Sequence, residues 1–143
     1  MKKEVIVHVK GVITQKEMED DAIEIYSVGN YFFKDGSHYL LYEESLADEE
    51  DTQIKNTIKI NQDPTQIIMT KKGKYSSRMI FTEGHTDHSV YQTPFGGMSL
   101  NATTSKVDFS LTDEFIRIEM DYDLQINYAD SSRNKILIEG KFL

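Results

Sequence analysis

From Ile116 to Tyr128 every even position is apolar or aromatic: Ile116, Ile118, Met120, Tyr122, Leu124, Ile126 and Tyr128. The odd positions between them, Arg117, Glu119, Asp121, Asp123, Gln125 and Asn127, are all polar. Successive side chains of a strand point to opposite faces, so the stretch reads as one long strand with a buried side and a wet side. A chain that carries such a strand must cover its apolar face with other elements of the same kind.

Those elements are abundant. Val5, Val7 and Val9 open a first strand, and Ile23–Phe33 is rich in aromatic and β-branched residues around Gly29-Asn30. Asp35-Gly36 separates Phe32-Phe33 from Tyr39-Leu40-Leu41-Tyr42, a strong hairpin signal because both turn residues tolerate positive φ. Glu43–Asp51 holds six acids and no base and reads as a loop, although Ser45 with Asp48 has the pattern of a single capped turn. Ile54, Ile58 and Ile60 alternate with lysine and threonine, Asp63-Pro64 turns the chain, and Ile67-Ile68-Met69 pairs with Tyr75–Thr82 through Lys72-Gly73. Lys71, Lys72, Lys74 and Arg78 around that glycine read as a solvated hairpin tip.

Beyond Pro94-Phe95-Gly96-Gly97 the parity slips. Met98, Leu100 and Ala102 are apolar on even positions, whereas Val107, Phe109 and Leu111 are apolar on odd ones. A one-residue slip would put every later side chain on the wrong face, so a β-bulge is expected within Thr103–Lys106. Helix-period stretches are nearly absent. The expected architecture is all-β, one domain over residues 1–143, an antiparallel meander of about eight to ten strands closed into a barrel. A two-sheet sandwich is the competing solution, but the strands are longer than it needs.

Composition narrows the function classes. A formal charge of −8 opposes nucleic-acid binding, which needs a basic face to displace counterions. No run approaches the length of a membrane span, and Glu4, His8 and Lys10 interrupt the apolar start, so a cytoplasmic protein is expected. The absence of cysteine removes disulfides, zinc-thiolate sites and thiol nucleophiles together.

Several features in order resemble the DUF1934, or YwiB-like, family of small bacterial proteins. They are the opening Val-rich strand, Gly29-x-Tyr31 before the Asp-Gly hairpin, Tyr42-Glu43-Glu44, Tyr91-x-x-Pro94-Phe95-Gly96, and Tyr122-x-Leu124 on the long strand. The resemblance implies a calycin-like β-barrel, and it brings no activity with it. Lipocalins carry Gly-x-Trp on the first strand; here Gly11-Val12-Ile13 stands in that region and the chain has no Trp. Lipocalin-type transport therefore does not transfer by fold alone.

The barrel interior is the expected functional place, since barrels of this strand number are either filled by side chains or hold one small ligand. The candidate ligand-binding residues are Tyr91 and Phe95 at the lip, Met120, Tyr122 and Leu124 on the apolar face of the long strand, and Arg78 as an anchor for an anionic group. His85-Thr86-Asp87-His88-Ser89 has neither zinc-site spacing nor the separated elements of a triad, and reads as a surface turn. Glu119, Asp121 and Asp123 lie about 6.6 Å apart on a flat face, too spread to wrap an ion. Cross-strand pairing with Lys135 and Lys141 is expected of them instead. No nucleophile, base and oxyanion donor come together, so a non-enzyme is favoured, with no metal and no cofactor. The leading expectation is a barrel that binds a small apolar or aromatic molecule. The alternative is a structural or protein-interaction module acting as a homodimer.

Overall fold

Among the described residues the alternating stretches form ten strands: β1 (Lys3–Thr14), β2 (Asp21–Lys34), β3 (Ser37–Ser45), β4 (Gln53–Gln62), β5 (Thr65–Lys72), β6 (Ser77–Thr82), β7 (Thr86–Thr93), β8 (Gly96–Leu111), β9 (Phe115–Ile126) and β10 (Ser132–Phe142). The computed structural model describes residues 2–16, 18–45, 53–62 and 64–143. The acidic stretch 46–52, with the Asp48 half of the capped turn, and Asp63 lie outside the described residues. Among the described residues there is no helix, and so none long and apolar enough to cross a membrane.

All ten strands belong to one sheet, in the order β6-β5-β4-β3-β2-β1-β10-β9-β8-β7, with every neighbour antiparallel. That order excludes the two-sheet sandwich. Strands adjacent in sequence pair everywhere except between β6 and β7, and the first strand pairs with the last, Val5 opposite Phe142. The sheet curls until β6 faces β7, giving a nearly closed barrel. Its seam has no continuous ladder. Ser76 and Gln92 exchange backbone hydrogen bonds of 3.0 and 2.8 Å, and Ile80 N donates to Asp87 Oδ2 at 3.0 Å. Beyond it, Gly84 N donates to the Thr104 carbonyl at 2.8 Å, and Thr104 N donates to that of His85 at 3.1 Å.

The curl depends on the bulge. Thr104 stands opposite Tyr122 but Lys106 stands opposite Asp121, so Ser105 is the extra residue. Inward parity passes from Ala102 and Thr104 to Val107 and Phe109 across it, as the apolar pattern requires. Asp35 and Gly36 take φ of 51° and 82°, the pair of positive values that a two-residue hairpin matched to strand twist needs.

The long strand is shorter than its alternation. β9 ends at Ile126, and Asn127 and Tyr128 turn with φ of 50° and 60°, which leaves Tyr128 77% exposed. Asn127 stabilises the turn by accepting from Ser99 N at 2.8 Å through Oδ1, while its own N–H donates to the Ser99 carbonyl at 2.9 Å. On the outer face, Glu119 meets Lys106 at 3.4 Å and Asp123 meets Arg133 at 3.2 Å. Lys135 stands opposite Asp121, but Lys141 stands opposite Phe115, because the register carries it past the acidic positions.

One end of the barrel is packed solid. Val5, Val7, Leu40, Ile58, Ile60, Ile67, Ile116, Ile118, Met120 and Ile138 are fully buried there. Burying each such side chain contributes roughly 1.5–3 kcal/mol. A polar network shares this region: Tyr31 Oη meets His38 Nδ1 at 2.7 Å, His38 Nε2 meets Gln62 Oε1 at 3.1 Å, and Ser37 Oγ donates to Asn61 Oδ1 at 2.6 Å. Those bonds satisfy groups that would be costly to bury unpaired.

Candidate functional site

The other end is not filled. A cavity of about 430 Å³ lies inside the barrel, walled by Met69 and Lys71 of β5, Ser77, Met79 and Phe81 of β6, Tyr91 of β7, and Met98 and Leu100 of β8. Tyr122, Leu124 and Ile126 of β9, Asn134 and Ile136 of β10, and Gly11, Val12, Ile13 and Ile23 of the first two strands complete the wall. Gly11 and Ser77 leave room on this wall, and three of its side chains, Met69, Met79 and Met98, are flexible methionines. Ile23 (44% exposed) and Ile126 (39%) mark the mouth. A second depression of about 520 Å³ lies among turn residues Asp35, Gly36, Asn61, Gln62 and Pro64. Its lining is polar, whereas binding sites for small molecules are mostly apolar with a few placed polar groups, which is the character of the interior cavity.

The polar groups gather at one side. Lys71 continues the inward parity of Ile67 and Met69, so it is not part of a solvated tip. Its Nζ lies 3.1 Å from Glu44 Oε1, and Glu44 in turn continues the inward parity of Leu40 and Tyr42. The Glu44 side chain is 14% exposed and that of Lys71 35%. Asn56 stands opposite both Tyr42 and Lys71 on the inner face, and Ser77 stands opposite Lys71 on the other side. Burial raises the Tyr91 phenol, with smaller contributions from Tyr75 and the Glu44 carboxylate, and the Tyr75 and Tyr91 rings stack at 6.1 Å. Tyr42 is also raised, first by burial and then by Glu44.

Of the residues singled out in the sequence, Tyr91, Tyr122 and Leu124 come together on the cavity wall. Met120 faces inward but is fully buried in the packed end and does not reach the cavity. Phe95 does not form a lip. It is 93% exposed at the β7–β8 turn, where Thr93 Oγ1 accepts from Phe95 N at 3.1 Å and donates to the Gly96 carbonyl at 2.9 Å. Arg78 cannot anchor an interior anion, because Ser77, Met79 and Phe81 take the inward positions of β6 and Arg78 points out between them. Lys71, Met69, Met79 and Asn134 of the wall, and Glu44 beside Lys71, are not among the ligand-binding candidates of the sequence, although parity marks all but Asn134 as inward. His88 Nδ1 bonds Asn101 Oδ1 on the outer surface, and among the described residues no group of three His, Cys, Asp or Glu is placed to hold a metal.

Tyr122 offers a pH signature of this wall. It is 6% exposed with its ring 4.7 Å from that of Phe81, and burial pushes its phenol from 10.0 up to about 12. The folded protein therefore holds this proton more tightly than the unfolded chain does. Its contribution is fully present below pH 10 and is lost as pH rises from 10 towards 12. At 1.36 kcal/mol per unit the loss approaches roughly 2–3 kcal/mol. Denaturant midpoints of the wild type should fall across that window, and Tyr122→Phe should flatten part of the fall.

Comparison with known proteins agrees with the architecture. Residues 7–138 match the family described as a domain of unknown function, DUF1934. The uncharacterized beta-barrel protein YwiB of Bacillus subtilis (strain 168) is 27% identical over 129 residues, spanning 88% of this chain and 86% of that protein. The crystal structure of the Bacillus subtilis ywiB protein superposes with a TM-score of 0.81 at 24% identity, covering 97% of this chain and 92% of the other. At that identity the superposition speaks for the fold alone. With the family's match running from β1 into β10 and so enclosing nearly the whole barrel, the chain belongs to DUF1934.

Proposed function

We propose that this protein binds a small apolar molecule reversibly inside the barrel, without covalent chemistry. The observation that supports the reading is the interior cavity of about 430 Å³, walled mainly by Met, Leu, Ile and aromatic side chains. Interiors are ordinarily packed to crystal density, so a void of this size is a departure from the rest of this molecule. At that density it has room for roughly fifteen non-hydrogen atoms, a small ligand rather than a large lipid.

The environment-sensitive fluorophore N-phenyl-1-naphthylamine tests the reading. Its emission should rise on titration with the protein, to a stoichiometry of one. Leu124→Trp places an indole in the cavity and should abolish that rise while far-ultraviolet circular dichroism stays that of the wild type. A rise that survives in a folded Leu124→Trp variant places the dye outside the barrel and overturns the reading.

A further inference from the structure

We infer that Asn134 Oδ1 selects the ligand of this cavity by receiving a hydrogen bond from an uncharged O–H or N–H carried on an apolar body; the inference rests on the binding reading above. The polar side chains on the cavity wall are Lys71, Ser77, Tyr91, Tyr122 and Asn134. Lys71 is partly exposed and lies 3.1 Å from Glu44, so solvent and that carboxylate serve its ammonium. The hydroxyls of Ser77, Tyr91 and Tyr122 each donate or accept, and so set no demand of their own. Asn134 differs. It is 4% exposed, and its Oδ1 only accepts.

The fold turns that oxygen towards the cavity. Asn134 stands on the inner face of β10, between Ile13 of β1 and Tyr122 of β9, both of which wall the cavity. Its Nδ2 donates to the Ser132 carbonyl at 3.3 Å and to Ser132 Oγ at 3.0 Å. A carbonyl only accepts, so the nitrogen must face Ser132 and the oxygen must face away from it. Ser132 Oγ is itself fixed by donating to the Leu124 carbonyl at 3.4 Å, so the carboxamide is held in place before a ligand arrives. No described residue donates to Oδ1, yet it is not sealed off as an unpartnered buried atom, so the cavity is where its partner enters. A ligand that fills the cavity without a donor leaves this acceptor unpaired, and groups left unpaired in a site select strongly for the ligand that pairs them. A carboxylate only accepts, and it would have to compete with Glu44 for Lys71. An alkylammonium donates, but it would bring an unpaired charge into a mainly apolar wall whose one charged residue, Lys71, has the same sign.

The test displaces N-phenyl-1-naphthylamine from the wild-type protein with 1-naphthol, 1-methoxynaphthalene and 1-naphthoate, which share a ring system and differ in the head. Naphthol should displace the dye at about tenfold lower concentration than either of the other two, which lack a donor. In Asn134→Leu naphthol and methoxynaphthalene should come within about twofold of each other. Should this variant fail to fold, the side-chain amide resonances of Asn134 in the wild type take its place, and they should move further with naphthol than with methoxynaphthalene. Methoxynaphthalene or naphthoate displacing at equal or lower concentration than naphthol overturns the donor inference and leaves the binding reading standing. A naphthol advantage that survives undiminished in folded Asn134→Leu, or equal movements of the amide resonances, overturns the role given to Asn134. A wild type that binds neither the dye nor any of the three overturns the binding reading and this inference with it.

Discussion

Gly29→Ala is expected to lower the melting temperature by about 10 °C, taking a cost of about 3 kcal/mol and two to four degrees per kcal/mol for a domain of this size. The cause is space. A Cβ on Gly29 would lie 2.3 Å from the Leu41 carbonyl oxygen, 3.0 Å from Val7 Cγ2 and 3.2 Å from Tyr42 Cβ. The first of these neighbours is backbone and cannot rotate away, so β2 and β3 would have to separate where Gly29 pairs with Tyr42. Tyr42 is 5% exposed and continuous with the core, so the disturbance enters the packed interior. Gly36 provides the contrast. A Cβ there meets nothing within 4 Å, and alanine suffers only from the positive φ of 82°. That backbone cost is about 1 kcal/mol. Thermal unfolding followed by circular dichroism separates the two; equal shifts for both variants would mean that the β2–β3 contact is not the constraint described.

The other large effect is expected at Phe81. Its ring is 1% exposed, packs against Tyr122 and forms part of the cavity wall. Phe81→Ala should destabilise the protein by about 3–5 kcal/mol, the range for truncating a buried aromatic. The same change enlarges the cavity, so stability and capacity should move in opposite directions. Chemical denaturation measures the first. Binding of a dye too large for the wild-type cavity measures the second. A destabilised variant with unchanged size selectivity would indicate that the wall collapses into the space left by the ring.

Which side of each strand faces inward was legible in the sequence, because period-two alternation is a statement about faces. The bulge was legible for the same reason: Ala102 and Val107 are on opposite parities, and Thr104–Lys106 is where the ladder shifts. Arg78 and Lys71 show how composition can mislead where parity does not. Both sit in a basic run around Gly73, yet Arg78 alternates with inward Met79, and Lys71 follows inward Met69. Tyr128 shows the limit of parity. It continues the pattern of β9, but the backbone leaves the extended region one residue earlier. The cavity itself was not legible, because alternation assigns a side chain to a face and says nothing about whether the opposing volumes add up to a full interior.

The order of the strands also sets how the chain must fold. The looser seam lies between β6 and β7, neighbours in sequence, whereas a full ladder joins β1 to β10, the most distant strands of the chain. Long-range pairing carries a large loop-closure entropy and slows folding. Until that ladder forms, β1 and β10 each present a bare edge, open to the corresponding strand of another chain. Refolding should thus be slow and concentration-sensitive, and a circular permutant joined across β10 and β1 and opened at Glu83-Gly84 would make that distant pair a local hairpin. The rate-limiting contact of this barrel is then a matter of where the chain is cut, not of what its residues are.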